Sequence, residues 1–186
     1  MQRKIKKADG NETKRKAIVN LFPKIALIKD DHLREQVIDV WIEAWNQSKL
    51  QSLEEIPINK DEVFTFIKHT NVTVMLALMM AKTLETEYKM TIHWDYLLAI
   101  AFLHDADQII LREKIAGKIE HKRLEKLIPH GTYCACIALS KGIAPEVAHG
   151  IMFHRPGMEP ITVEALIVKY CDAANYYAYA LSKAQN

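Results

Sequence analysis

His104 and Asp105 close the apolar run Tyr96-Leu97-Leu98-Ala99-Ile100-Ala101-Phe102-Leu103. An imidazole and a carboxylate at the end of so hydrophobic a segment are headed for burial, which is costly unless they are paired or bound to metal. Two further candidate ligands keep similar company. His69 follows Val63-Phe64-Thr65-Phe66-Ile67-Lys68, and Asp172 follows Ala165-Leu166-Ile167-Val168-Lys169-Tyr170-Cys171. Two histidines and two aspartates make a nitrogen and oxygen shell suited to a divalent transition metal. Each residue alone has an ordinary reading: His69 as a hydrogen-bonded core histidine, Asp172 as the partner of Lys169 three residues earlier on one helix. Their joint occurrence argues for metal.

The elements that must position these residues are helical. Apolar residues recur at helical spacing, with little of the period-two alternation or Asn-Gly turn chemistry that announces a sheet, so the fold class is all-α. A helix from Asp31 to Ser48 puts Leu33, Val37, Val40, Trp41, Ala44 and Trp45 on one face, covering the protein's own core. A second stretch from Asp61 to Tyr88 is long enough for an interruption near His69-Thr70-Asn71. A third runs from Trp94 to Asp105, with Asp95 placed for the positive end of its dipole. The pair His104 and Asp105 falls where apolar periodicity breaks, and a helix end lets adjacent side chains converge. Ala106 to Lys118 has no clear pattern. A short charged helix is expected over Ile119 to Leu127, another from His130 to Gly142, and a third over Ala144 to His154 with Pro145 in its first turn. Thr162 caps a last helix that carries Asp172 and continues to Ser182.

The 186 residues are 49% apolar, enough for the core of one domain. Residues 1–20 read as a basic, mobile segment and 21–186 as a single helical domain. No apolar run reaches the roughly 18 residues of a membrane span, and the N-terminus lacks the apolar core of a secretory signal; the expected compartment is the cytoplasm. A net charge of +2 is too small for strong attraction to nucleic acid. Cys134, Cys136 and Cys171 read as small core residues in a reducing compartment, since three cannot all pair and none forms a CxxC.

The order His69, then His104 and Asp105, then Asp172 resembles the H…HD…D signature of the HD superfamily of metal-dependent phosphohydrolases. His130 and His154 fall between the pair and the last aspartate, as in members that hold two metals. The resemblance covers Phe64 to Tyr179. It implies a compact helical bundle in which His69, His104, Asp105 and Asp172 hold one metal and Asp105 bridges to a second held by His130 and His154. The metal would be one or two ions of Mn, Fe, Zn, Ni or Co. His149 stands five residues from His154, a rotation of roughly 140° on a helix, so only one of them faces the metals, and the family pattern favours His154.

The activity so implied is hydrolysis of a small phosphate ester, a nucleotide or nucleotide-like compound, by a metal-activated water. Many members carry Gly-Lys where this chain has Asp107-Gln108, and glutamine cannot replace the lysine's charge. Arg112, Lys118 and Arg155 are candidate substitutes, with Arg155 favoured because it adjoins His154. His121 is a candidate general acid. The expected catalytic residues are therefore Asp105, His121 and Arg155, the expected partner is a small phosphorylated substrate, and a homodimer is possible. A di-iron oxygenase on the same ligands and a noncatalytic metal-binding regulatory domain stand as alternatives.

Overall fold

The computed structural model describes residues 2–55, 64–116 and 118–185. In chain order it runs through α1 (Gln2–Leu21), α2 (Asp31–Gln47), α3 (Phe66–Tyr88), α4 (Trp94–Leu103), α5 (Gln108–Leu111), the strands β1 (Arg112–Ile115) and β2 (Lys118–His121), α6 (Arg123–Leu127), α7 (Thr132–Ser140), α8 (Pro145–Phe153) and α9 (Val163–Ala184). The all-α expectation holds apart from this one hairpin.

Helix α4 is apolar around its whole circumference and therefore belongs inside. Leu97 through Leu103 are all buried, and α2, α3, α8 and α9 pack around them. Trp41 of α2 is buried and donates its indole N–H to Phe102 O at 3.1 Å, while Phe22 meets the Trp41 ring at a tilt and the Phe102 ring edge-on. Helix α2 thus covers the core of its own chain, as its periodicity predicts. Helix starts follow local chemistry: the side chains of Asp30, Thr65 and Thr162 accept from the N–H groups of Leu33, Lys68 and Ala165. Asp95 is expected only to complement a dipole, yet it also accepts from Lys29 N and Asp30 N, which fastens the start of α2 to that of α4.

Several boundaries differ from the sequence reading. Helix α3 passes through His69-Thr70-Asn71 without a break, because the Asn71 amide bonds to Leu21 O and Ile67 O and leaves the helical ladder intact. The expected start at Asp61 lies outside the described residues. Helix α4 stops at Leu103, and residues 104–107 form a turn.

The expected helix from Ile119 is part strand. Arg112 pairs with His121 and Ile115 with Lys118 in an antiparallel hairpin, and only Arg123–Leu127 is helical. Lys122 N donates to Leu111 O at 2.8 Å and Lys49 pairs with Glu113 at 2.9 Å, so tertiary contacts hold a ribbon that local pattern does not announce. Lys14 and Arg15, expected in a mobile tail, lie in α1: Lys14 donates to Asn46, Arg15 pairs with Glu35 and Asp39, and Ile18 is buried. Cys134 is a core residue bonded to Leu103 O, whereas Cys136, two positions on, faces out. No helix among the described residues is long and apolar enough to cross a membrane.

Close approach of α8 to α4 depends on Gly150, where a Cβ would collide with Ile100 Cδ1 and come within 2.7 Å of its Cγ1. Gly150→Ala is expected to destabilise the protein by about 1–3 kcal/mol through overpacking, read from the denaturant midpoint. A midpoint equal to wild type would contradict this account of the α4–α8 contact.

Candidate metal centre

Five separate stretches of chain deliver six side chains to one place. His69 lies one turn into α3, His104 caps the C-terminus of α4, Asp105 follows in the turn, His130 precedes α7, His154 caps α8 and Asp172 lies midway along α9. Their ligating atoms form two groups, His69 with His104, Asp105 and Asp172, and Asp105 with His130 and His154, each with all atoms within 4.8 Å of one another. Asp105 belongs to both. Its Oδ2 is 3.6 Å from His69 Nε2 and 3.7 Å from His104 Nε2, and its Oδ1 is 3.6 Å from His130 Nε2 and 3.9 Å from His154 Nε2. Asp172 Oδ1 closes the first group at 2.8 Å from His69 Nε2.

Backbone carbonyls fix two of the rings. His104 Nδ1 donates to Ala101 O at 2.8 Å and His154 Nδ1 to Ile151 O at 2.6 Å. A carbonyl can only accept, so the proton sits on Nδ1 and the Nε2 lone pair turns into the cluster, the orientation metal-ligating histidines adopt. There His104 Nε2 lies 3.4 Å from His69 Nε2, and His154 Nε2 lies 3.2 Å from His130 Nε2. Nitrogens this close need a proton or a cation between them.

For the pair His130 and His154, electrostatics agree with a cation. Burial opposes ionisation of Asp105 and Asp172, yet the surrounding imidazoles hold both carboxyls below their ordinary range. Burial and the neighbouring His104 push His154 down to about 4, and burial lowers His130 as well. Charged carboxylates and neutral imidazoles are the forms that bind metal. The donor set and its geometry therefore fit one ion in each group.

A cavity of about 250 Å³ opens over the cluster, lined by His69, Asp105, His130 and Asp172 and by Gln108, Arg112, Arg155 and three aromatic residues, Phe66, Tyr176 and Tyr177. Not every expected residue reaches it. His121 sits exposed on β2, its Nδ1 2.5 Å from Glu125 Oε2, and does not line the cavity, because the hairpin carries it away. Lys118 is exposed on the same strand. His149 accepts from Ile161 N and packs on Phe153, outside both groups. Lys169 donates to Met158 O, so Asp172 pairs with His69 instead.

Two supporting residues escape the sequence reading. Asn175, one turn beyond Asp172, places its amide nitrogen 2.9 Å from His69 Nδ1 and donates to His69 O and Thr73 Oγ1. A buried amide three residues after a candidate ligand, on the same helix face, was its available signal. Asp107 is buried, and its Oδ2 accepts from Gly131 N at 2.8 Å and Cys134 N at 3.0 Å. It serves as a distant N-cap for α7, whose own cap residue, Gly131, has no side chain. Burial and the charge of Asp105 push its carboxyl up to about 7. Gly131 is itself constrained: φ is +84°, and a Cβ would lie 2.6 Å from Ile151 O and 3.1 Å from His154 Cε1. Asp107 and Gly131 together set His130 against His154.

Asp107→Ala is therefore expected to cost about 1–3 kcal/mol of stability and to reduce metal in the second group while leaving the first filled. Thermal melting and elemental analysis read the two effects. Unchanged stability and full metal content would show that Asp107 does not hold His130 in place.

Curated proteins and solved structures offer no match to the chain. The family model for the HD domain matches residues 66–176, from the first residue of α3 to Tyr176 in α9. That span covers more than half of the chain and contains all six clustered histidines and aspartates. The chain belongs to the HD-domain family, whose members are generally metal-dependent hydrolases.

Proposed function

We propose that this protein is a phosphohydrolase that cleaves a small phosphate ester of nucleotide type with the help of divalent transition metal. The observation that carries the reading is the placement of Asp105, one carboxylate whose two oxygens face two separate imidazole groups beneath an open cavity. When bound, the metal supplies Lewis acidity toward phosphoryl oxygens and acidifies water.

The chain's own residues do the rest. His104 and His154 are held in register by backbone carbonyls, so the ligand geometry does not need to reorganise. Gln108, at the position where many family members carry lysine, donates from Nε2 to Asp105 Oδ1 at 3.3 Å. It orients the shared carboxylate and brings no charge. Arg155 lines the cavity without an ion-pair partner among the described residues, and its guanidinium is suited to neutralising a bound phosphate. Tyr176 and Tyr177 are exposed at the cavity, and aromatic faces there favour an ester whose organic part is a flat base. The role of general acid expected for His121 has no support in this geometry.

The test is phosphate release from a panel of nucleoside monophosphates and simpler esters by metal-loaded protein, run with and without oxygen. Hydrolysis is expected in both, and Arg155→Ala is expected to lower kcat/KM roughly tenfold or more through loss of a charge-assisted contact. Turnover that requires oxygen and iron would favour the oxygenase alternative. Full metal loading with no turnover of any ester would favour a regulatory domain.

A further inference from the structure

The outward faces of α3 and α9 carry apolar side chains where a solvent-facing helix ordinarily carries charge. Val72, Met75 and Met79 of α3 and Leu166, Tyr170 and Leu181 of α9 are exposed, at 38% to 64%. At 100° per residue each trio falls within an arc of about 60°, opposite the buried side of its helix. The two helices run antiparallel and in contact: Phe64, just before α3, stacks on Tyr179 near the end of α9, and Met80 meets Cys171 midway. A groove between them is lined by Leu76, Met80 and Leu84 from α3 and by Cys171 and Ala174 from α9, and Met79 and Tyr170 line it too. The two stripes and the groove thus form one apolar surface. No lysine, arginine, aspartate or glutamate stands in α3 between Lys68 and Lys82, or in α9 between Asp172 and Lys183. The charges at its border are engaged, Lys82 with Glu85 and Lys169 with Met158 O. Other exposed apolar residues, such as Val19, Ile115, Leu127 and Leu139, stand on separate elements.

We propose that this face pairs with the same face of a second copy of the chain, giving a two-fold homodimer. The six exposed side chains present about 600 Å² of accessible surface, as much as the largest apolar patch on a typical monomer, and the groove brings each copy toward the roughly 800 Å² that one partner buries in a standard interface. A partner chosen by its charge would find no counter-charge here, whereas two uncharged faces bring no like charges together. Each copy offers both the projecting side chains and the groove to receive them, as a contact between identical surfaces requires. Methionine and tyrosine without charged neighbours are also the composition of homodimer interface cores, and the flexible Met75 and Met79 can adapt to fill gaps. Tyr177, exposed next to this face on α9, also lines the cavity over the metal ligands, so the pairing adjoins the site without using its ligands.

The experiment is sedimentation equilibrium of the full chain at concentrations from about 1 to 100 μM. The wild type is expected to be dimeric. Met79→Glu and Tyr170→Glu are each expected to weaken the dimer about tenfold or more by burying an unpaired charge, with helix content by circular dichroism and metal content unchanged. Leu127→Glu, at a comparably exposed leucine on α6, is expected to leave the dimer intact. Should Met79→Glu or Tyr170→Glu lose helix content, Leu181→Glu near the end of α9 takes its place with the same expectation. A monomeric wild type overturns the proposal, and capture of that monomer by phosphatidylcholine vesicles would assign the face to lipid instead. A dimer that these substitutions on α3 and α9 leave unchanged overturns it as well, as does equal dissociation by Leu127→Glu.

Discussion

A buried carboxylate faced on both oxygens by imidazoles sets the terms for this structure. Removing the charge of Asp105 from water costs several kcal/mol, and only close partners of opposite sign can offset it. His69, His104, His130 and His154 surround it; burial keeps His130 and His154 neutral, and the carbonyl-bound Nδ1 atoms of His104 and His154 turn lone pairs rather than protons toward it. Anionic oxygens and inward lone pairs in one place leave a site that is electrostatically incomplete until cations complete it. The shared aspartate also means that the two groups of ligands cannot be treated as independent.

The fold exists, in this view, to bring helix ends together at that carboxylate. Helix α4 is apolar on every face and takes the central position, which carries His104 and Asp105 to the middle of the protein before the chain turns. Small residues and side-chain straps then set the others. Gly150 lets α8 lie against α4, Gly131 lets the chain before α7 pass close to His154, and Asp107 holds the start of α7 to the turn that bears Asp105. On the far side, Asn175 steadies His69 from α9. Each strap places a ligand without occupying the face that a metal would use.

The six clustered residues were legible in the sequence because each sits in or beside an apolar stretch, where a polar side chain needs a reason, and because their order matches a family signature. The central helix was legible for the same cause. What stayed hidden depends on contacts distant in sequence. Asp107 looks like one more polar residue after the pair until its bonds to Gly131 and Cys134, 24 and 27 positions away, are known. The strands Arg112–Ile115 and Lys118–His121 are short and rich in Lys and Glu, so no apolar alternation marks them, and the hairpin is what moves His121 away from the cavity and Arg112 onto it. The basic start of the chain gives no sign that Arg15 will find Glu35 and Asp39 on α2.

The proposal on which the account turns is that Asp105 would serve two metal ions, one in each group of ligands. Elemental analysis of the wild-type protein, Asp105→Ala and His154→Ala, each reconstituted with manganese, iron, zinc, nickel or cobalt, tests it directly. The account predicts about two equivalents in the wild type, about one in His154→Ala and essentially none in Asp105→Ala. Wild-type protein that binds no metal under any of these conditions, or an Asp105→Ala variant that still holds two equivalents, would contradict it.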